Sequence, residues 1–115
     1  MYRLRDSDVL LFPSLRDGGG AVVVEAMAAG LPVVCLDVGG PGFHVHDEWG
    51  IKIKQGCPED VIREIAKGLG RLCSDRDLCS KMGEAARQRA IIYYRWDKLG
   101  DRLHDIYMDA LSDGP

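Results

Sequence analysis

The sequence lacks a dominant charge, a long apolar run and a recognisable metal-ligand pattern. Fifteen basic side chains face eighteen acidic ones, for a net charge of −3. No basic stripe breaks that balance, so the electrostatic footprint of a nucleic-acid binder is absent. The longest uncharged stretch, Gly18 to Leu36, is interrupted by Glu25. No run of about 20 apolar residues exists, and none is expected to cross a membrane. The opening residues Met1-Tyr2-Arg3-Leu4-Arg5-Asp6 hold no apolar signal core. The reading is a cytoplasmic protein, with peripheral membrane contact left open for the full-length protein. Cys35, Cys57, Cys73 and Cys79 form no CxxC, and the histidines are not spaced as their partners. Free thiols and no metal site are expected.

What is present fits one globular unit. A chain of 115 residues that is 46% apolar can bury a core and has room for one domain at most. Six of the fourteen glycines cluster at Gly18–Gly20 and at Gly39, Gly40 and Gly42, as positional glycines do.

Val9-Leu10-Leu11-Phe12, stopped by Pro13, and Val33-Val34-Cys35-Leu36 are short unbroken apolar runs. Such runs suit parallel strands covered on both faces. Between them, Gly20 to Ala29 has helical spacing, with Gly30 at the C′ position and Pro32 blocking continuation. Asp37–Gly42 is expected to be a second glycine-rich loop, and 43–49 is ambiguous, with room for one helical turn. Gly50–Lys54 alternates apolar and charged residues, as an edge strand does. Pro58 is placed to begin a helix, with Glu59 and Asp60 in its first turn. Ser74 and Asp77 resemble a capping box for the next helix, which runs to about Ile92. A last helix, about 97–111, carries Leu99, Leu103, Ile106, Tyr107, Ala110 and Leu111. The order predicts an α/β protein: a short parallel sheet of about three strands, helices on its faces and a helical C-terminal tail. Both glycine loops then lie at the carboxyl ends of neighbouring strands, where open α/β sheets bind ligands.

The chemistry concentrates in 12–34. Gly18–Gly20 opens a helix, and bare backbone there lets a ligand approach amides at the positive end of the helix dipole. Asp17 precedes this cradle and Glu25 follows eight residues later; side chains lean toward a helix N-terminus, so Glu25 reaches back to the same mouth. Two carboxylates are poor phosphate ligands and good acceptors for paired hydroxyls. The combination suggests a ligand with phosphates and vicinal diols, a nucleotide sugar. Against this stands a plain alternative, a glycine loop with acids that merely favour the helix N-terminus. No Walker lysine follows the glycines, and no G-x-G-x-x-G with a downstream ribose acid occurs. Ser14 could bond a ligand at the strand end or cap its own loop. Arg16 reads as a solvated loop arginine. His44 and His46 are expected on the surface near the rim, and His104 on a helix. Tyr93, Tyr94 and Trp96 are expected to pack together between helices.

Pro13-Ser14, Asp17-Gly18-Gly19-Gly20 and Glu25-Ala26-Met27-Ala28-Ala29-Gly30-Leu31-Pro32-Val33-Val34 resemble the signature of the family 4 retaining glycosyltransferases, glycosyltransferase group 1. Asp37-Val38-Gly39-Gly40-Pro41, Gly50-Ile51, Cys57-Pro58-Glu59-Asp60, Gly83-Glu84-Ala85-Ala86-Arg87 and Trp96-Asp97 extend the likeness over about 7–112. The resemblance implies a GT-B enzyme of two facing Rossmann-like domains, of which 1–115 is the C-terminal portion of the nucleotide-sugar-binding domain. It implies transfer of a hexose from a UDP- or GDP-sugar to a glycan or lipid-linked acceptor, which the N-terminal domain would bind, with neither metal nor cofactor. By that resemblance Asp17 and Glu25 are the catalytic-site acids. Asp17 would face hydroxyls of the transferred sugar and Glu25 those of the ribose; Gly18, Gly19, Gly20 and Ser14 would line the donor.

Two departures stand out. Asp17 replaces the family's Glu, one methylene longer, and Gly19 replaces an aromatic. The family's phosphate-binding Arg or Lys and its catalytic-site histidine belong to segments this sequence does not contain, so the isolated chain is expected to be inactive. In the family's strand order 3-2-1-4-5-6 it would supply strands 4, 5 and 6, exposing a sheet edge at 8–12 and an apolar stripe on the last helix including Trp96. Self-association through either is expected. Another GT-B enzyme, such as a nucleotide-sugar epimerase, and a truncated non-enzymatic interaction fragment are the alternatives.

Overall fold

Val33–Leu36 are all buried and form β2, the middle strand of a three-stranded parallel sheet in a computed structural model that describes residues 2–16 and 20–113, the side chains of Tyr2 and Arg3 excepted. β1 (Leu10–Phe12) pairs with β2 in the register Leu10 to Val33, and β3 (Gly50–Ile53) pairs on the other side in the register Val33 to Gly50. The sheet order β1-β2-β3 leaves β1 and β3 as edges, as expected for both apolar 9–12 and lysine-bearing 50–54. Six helices complete the described residues: α1 (Tyr2–Arg5), α2 (Ala21–Ala28), α3 (Gly39–His44), α4 (Pro58–Ser74), α5 (Arg76–Tyr93) and α6 (Trp96–Ser112).

Alternation along β2 divides the core. Val33 and Cys35 face Val23, Ala26 and Met27 of α2, Ala86 and Ala90 of α5, and Val45 and Trp49. Val34 and Leu36 face the opposite way, into a cluster with Ile53, Leu72 of α4, and Cys79 and Met82 of α5. A side-chain period of two on a doubly covered strand requires this division. Burial of Cys35 pushes its thiol pKa from 9.0 up to about 11, against the opposing charge of Lys52.

Helix ends follow local chemistry, with two corrections. Gly30 has φ of +81° just past α2, the expected C′ geometry, and Pro58 opens α4 as expected. The expected loop at Asp37–Gly42 is instead mostly helix. α3 begins at Gly39 and continues through Pro41, because Pro is tolerated in a first turn and three glycines do not forbid one short turn. The expected Ser74–Asp77 capping box is displaced by one residue. Asp75 caps α5, its Oδ1 accepting from the Leu78 amide at 3.0 Å, while Ser74 Oγ turns back to donate to the Arg71 carbonyl. Asp75 also terminates α4.

Gly83 explains how closely α2 and α5 pack. A Cβ there would stand 2.2 Å from the Gly30 carbonyl oxygen. α6 differs from every other long helix in burying no residue. Trp96, expected to pack with Tyr93 and Tyr94, is 88% exposed, and Leu103, Ile106, Tyr107, Met108 and Leu111 are exposed with it.

Candidate functional site: the mouth of α2

Parallel pairing of β1 and β2 brings the segments after both strands to one rim. Gly20, the residue before α2, is buried with φ of +67°. A Cβ on it would meet Pro41 N at 3.0 Å and Gly40 C and His44 Cδ2 at 3.1 Å. Both the left-handed backbone and the close approach of α3 therefore call for glycine. The two glycine clusters meet here, an arrangement that the sequence order alone only suggests.

The Gly20 carbonyl accepts from the Val23 and Val24 amides. No side chain caps α2, and the amides of Ala21 and Val22 have no partner among the described residues. A helix's first turn leaves amides without intrahelical acceptors, and the positive end of its dipole concentrates there. Glu25 is exposed one turn further on, and its carboxylate has no hydrogen bond or ion pair among the described residues. The tilt of Cα–Cβ bonds inclines it toward the same mouth. Asp17, Gly18 and Gly19, the other half of the expected cradle, lie outside the described residues.

Ser14 is half-buried, and its Oγ accepts from the Arg16 amide at 3.4 Å, the loop-capping alternative of the two open to it. Arg16 is exposed and makes no ion pair among the described residues. Beside it a cleft of about 560 Å³ opens between the ends of β1 and β2 and the start of α4, lined by Pro13, Leu15, Leu36, Pro58 and Ile62. Across the rim, Lys52 Nζ lies 3.6 Å from Asp37 Oδ1 and donates to the Gly42 carbonyl at 3.3 Å, pinning α3 to β3.

The structure corrects one expectation at this rim. His44 is not a loose surface histidine. It ends α3, is half-buried, and its Nδ1 lies 2.6 Å from the Tyr94 hydroxyl. Its carbonyl accepts from Trp49 Nε1 at 2.9 Å. Fifty residues separate His44 from Tyr94, and no local signal announces the pair. His46 is exposed with its ring tilted on Trp49, and His104 is exposed on α6. Burial raises the Tyr94 pKa, while the charge of Arg89 and a side-chain hydrogen bond from it work in the opposite direction.

The D-inositol 3-phosphate glycosyltransferase of Streptomyces griseus is 37% identical over 109 residues, covering 95% of this chain and 22% of that protein. The N-acetyl-alpha-D-glucosaminyl L-malate synthase of Bacillus anthracis is 32% identical over 108 residues, covering 93% of this chain and 27% of that protein. The sucrose-phosphate synthase structure from Thermosynechococcus elongatus superposes with a TM-score of 0.81 at 26% identity, over 97% of this chain and 27% of that one. The chain thus spans about a quarter of the length of these relatives. Residues 1–89 match the family described as glycosyl transferases group 1, and the chain belongs to that family.

Proposed function

We propose that this chain is the second half of the donor-binding domain of a retaining GT-B glycosyltransferase of family 4, using a UDP- or GDP-sugar. One observation carries the reading. A helix mouth with no side-chain cap, whose Ala21 and Val22 amides have no partner among the described residues, stands at the carboxyl rim one turn from the exposed Glu25. The amides of Ala21 and Val22, with the Gly18–Gly20 segment, bind the diphosphate and the sugar beside it. The helix dipole offsets the diphosphate charge, and no metal is needed. Glu25 accepts from the ribose hydroxyls, and Asp17 from those of the transferred hexose. The acceptor, a glycan or a lipid-linked sugar, is bound by another part of the protein. The isolated chain holds donor weakly and turns nothing over.

Titration with UDP-glucose and GDP-mannose, followed by amide NMR, tests this. Millimolar donor is expected to shift the Ala21 and Val22 resonances. Replacing a charged acceptor of two hydroxyls, Glu25→Ala, is expected to weaken binding roughly tenfold. Unchanged affinity in that variant rejects the assignment. Sugar transfer by the chain alone would overturn its inactivity. The interaction-fragment alternative draws on the exposed stripe of α6.

A further inference from the structure

We propose that His44, held by Tyr94, is a positioning residue that sets the mouth of α2 for its ligand. This rests on the donor-site reading above and assigns a part of that site to residues outside the family signature.

His44 Nδ1 and the Tyr94 hydroxyl share a hydrogen bond at 2.6 Å, the ring reaching from the end of α3 to the end of α5. Nε2 and Cδ2 share one edge of the ring, and Cδ2 stands against Gly20, 3.1 Å from where a Cβ would be. The edge of the imidazole away from Tyr94 is therefore the edge turned to the α2 mouth.

The surroundings fix this orientation. The rings of His44 and Tyr94 meet edge to face with centroids 5.1 Å apart, and Phe43 makes a second edge contact. Trp49 holds the His44 carbonyl. The Arg89 guanidinium is itself anchored, 3.9 Å from the Tyr93 ring and 5.5 Å from the Trp49 ring. Contacts thus run from the end of α5 to the mouth: Tyr94 to His44, and His44 to Gly20. Its function is geometric. It holds the left-handed Gly20 and the first amides of α2 where a phosphate or sugar oxygen can meet them.

The test uses the 115-residue protein, with UDP-glucose and GDP-mannose as probes. Long-range ¹H–¹⁵N spectra of the His44 ring are expected to show Nδ1 hydrogen-bonded in the unaltered protein and released in Tyr94→Phe; an Nδ1 signal that Tyr94→Phe leaves unchanged overturns the proposal. Tyr94→Phe and His44→Leu are expected to raise the donor Kd about fivefold or more. His44→Gln, whose amide can hydrogen-bond the Tyr94 hydroxyl as donor or acceptor, is expected to recover most of the affinity, which a purely space-filling role would not predict. Tyr94→Phe keeps the ring, so it reports even if His44→Leu fails to fold. Wild-type affinity in Tyr94→Phe, with the His44–Tyr94 hydrogen bond removed, overturns the positioning role and leaves the donor site standing. Absence of any binding to the unaltered protein defeats the donor site and this inference together.

Discussion

β2 and α6 are used in opposite ways. All four residues of β2 are buried, and α6 buries none of its seventeen. Both carry apolar side chains, but β2 is wholly apolar whereas α6 spaces its apolar residues among charged ones. β2 is covered by helices on both faces, whereas α6 touches the rest through α5 and through Arg102, which lies 3.9 Å from the Tyr93 ring and donates to its carbonyl. The contrast separates what folds the chain from what the chain offers to another surface. Removing side chains near β2 should cost stability; removing them from α6 should cost association.

The strongest way to break the first half of that contrast is Gly83→Ala. The added methyl would collide with the backbone at Gly30, and neither helix can retreat without opening the core. Loss of the cooperative unfolding transition is expected by circular dichroism; a wild-type melting temperature would refute the tight α2–α5 crossing. Met27→Ala, at a fully buried site, is expected to cost about 2–5 kcal/mol in denaturant unfolding. A smaller effect tests burial by pH. The Cys35 thiol titrates at 9.0 unfolded and at about 11 folded. The neutral thiol's contribution is complete below pH 9 and is lost as pH rises through 11. Two pH units correspond to about 2–3 kcal/mol. A Cys35→Ala variant should lose less stability over that window, and identical slopes would sink the claim. The smallest effect belongs to α6. The double change Leu103→Ala and Ile106→Ala should shift unfolding by no more than about 0.5 kcal/mol, as surface changes do. The same variant should reduce self-association in light scattering, and a wild-type chain that stays monomeric at high concentration would remove the premise.

Legibility in the sequence follows the same division. β2 and the C′ glycine of α2 were readable because a continuous apolar run and a Gly-x-Pro stop each admit few alternatives. α3 was not, because Gly39-Gly40-Pro41-Gly42 has the composition of a turn and becomes helical only through its seat against Gly20 and Lys52. The cap of α5 was misread by one residue, since Ser74 and Asp75 are both competent caps and tertiary register chose between them. The start of α2 after a glycine turn is legible from local spacing, as Gly20 and Ala21 show. The His44–Tyr94 contact was not, because it depends on how α3 and α5 pack. The aromatic run 93–96 misled because Trp96 begins α6, which turns it away from its neighbours.

Asp75 serves as the last stop of one helix and the first cap of the next, so α4 and α5 meet with no spacer. α4 lies over the Val34 and Leu36 face of β2, while α5 reaches both faces. One carboxylate therefore sets the angle between the helix over the Val34 face and the helix that carries on to join α2 over the Val33 face.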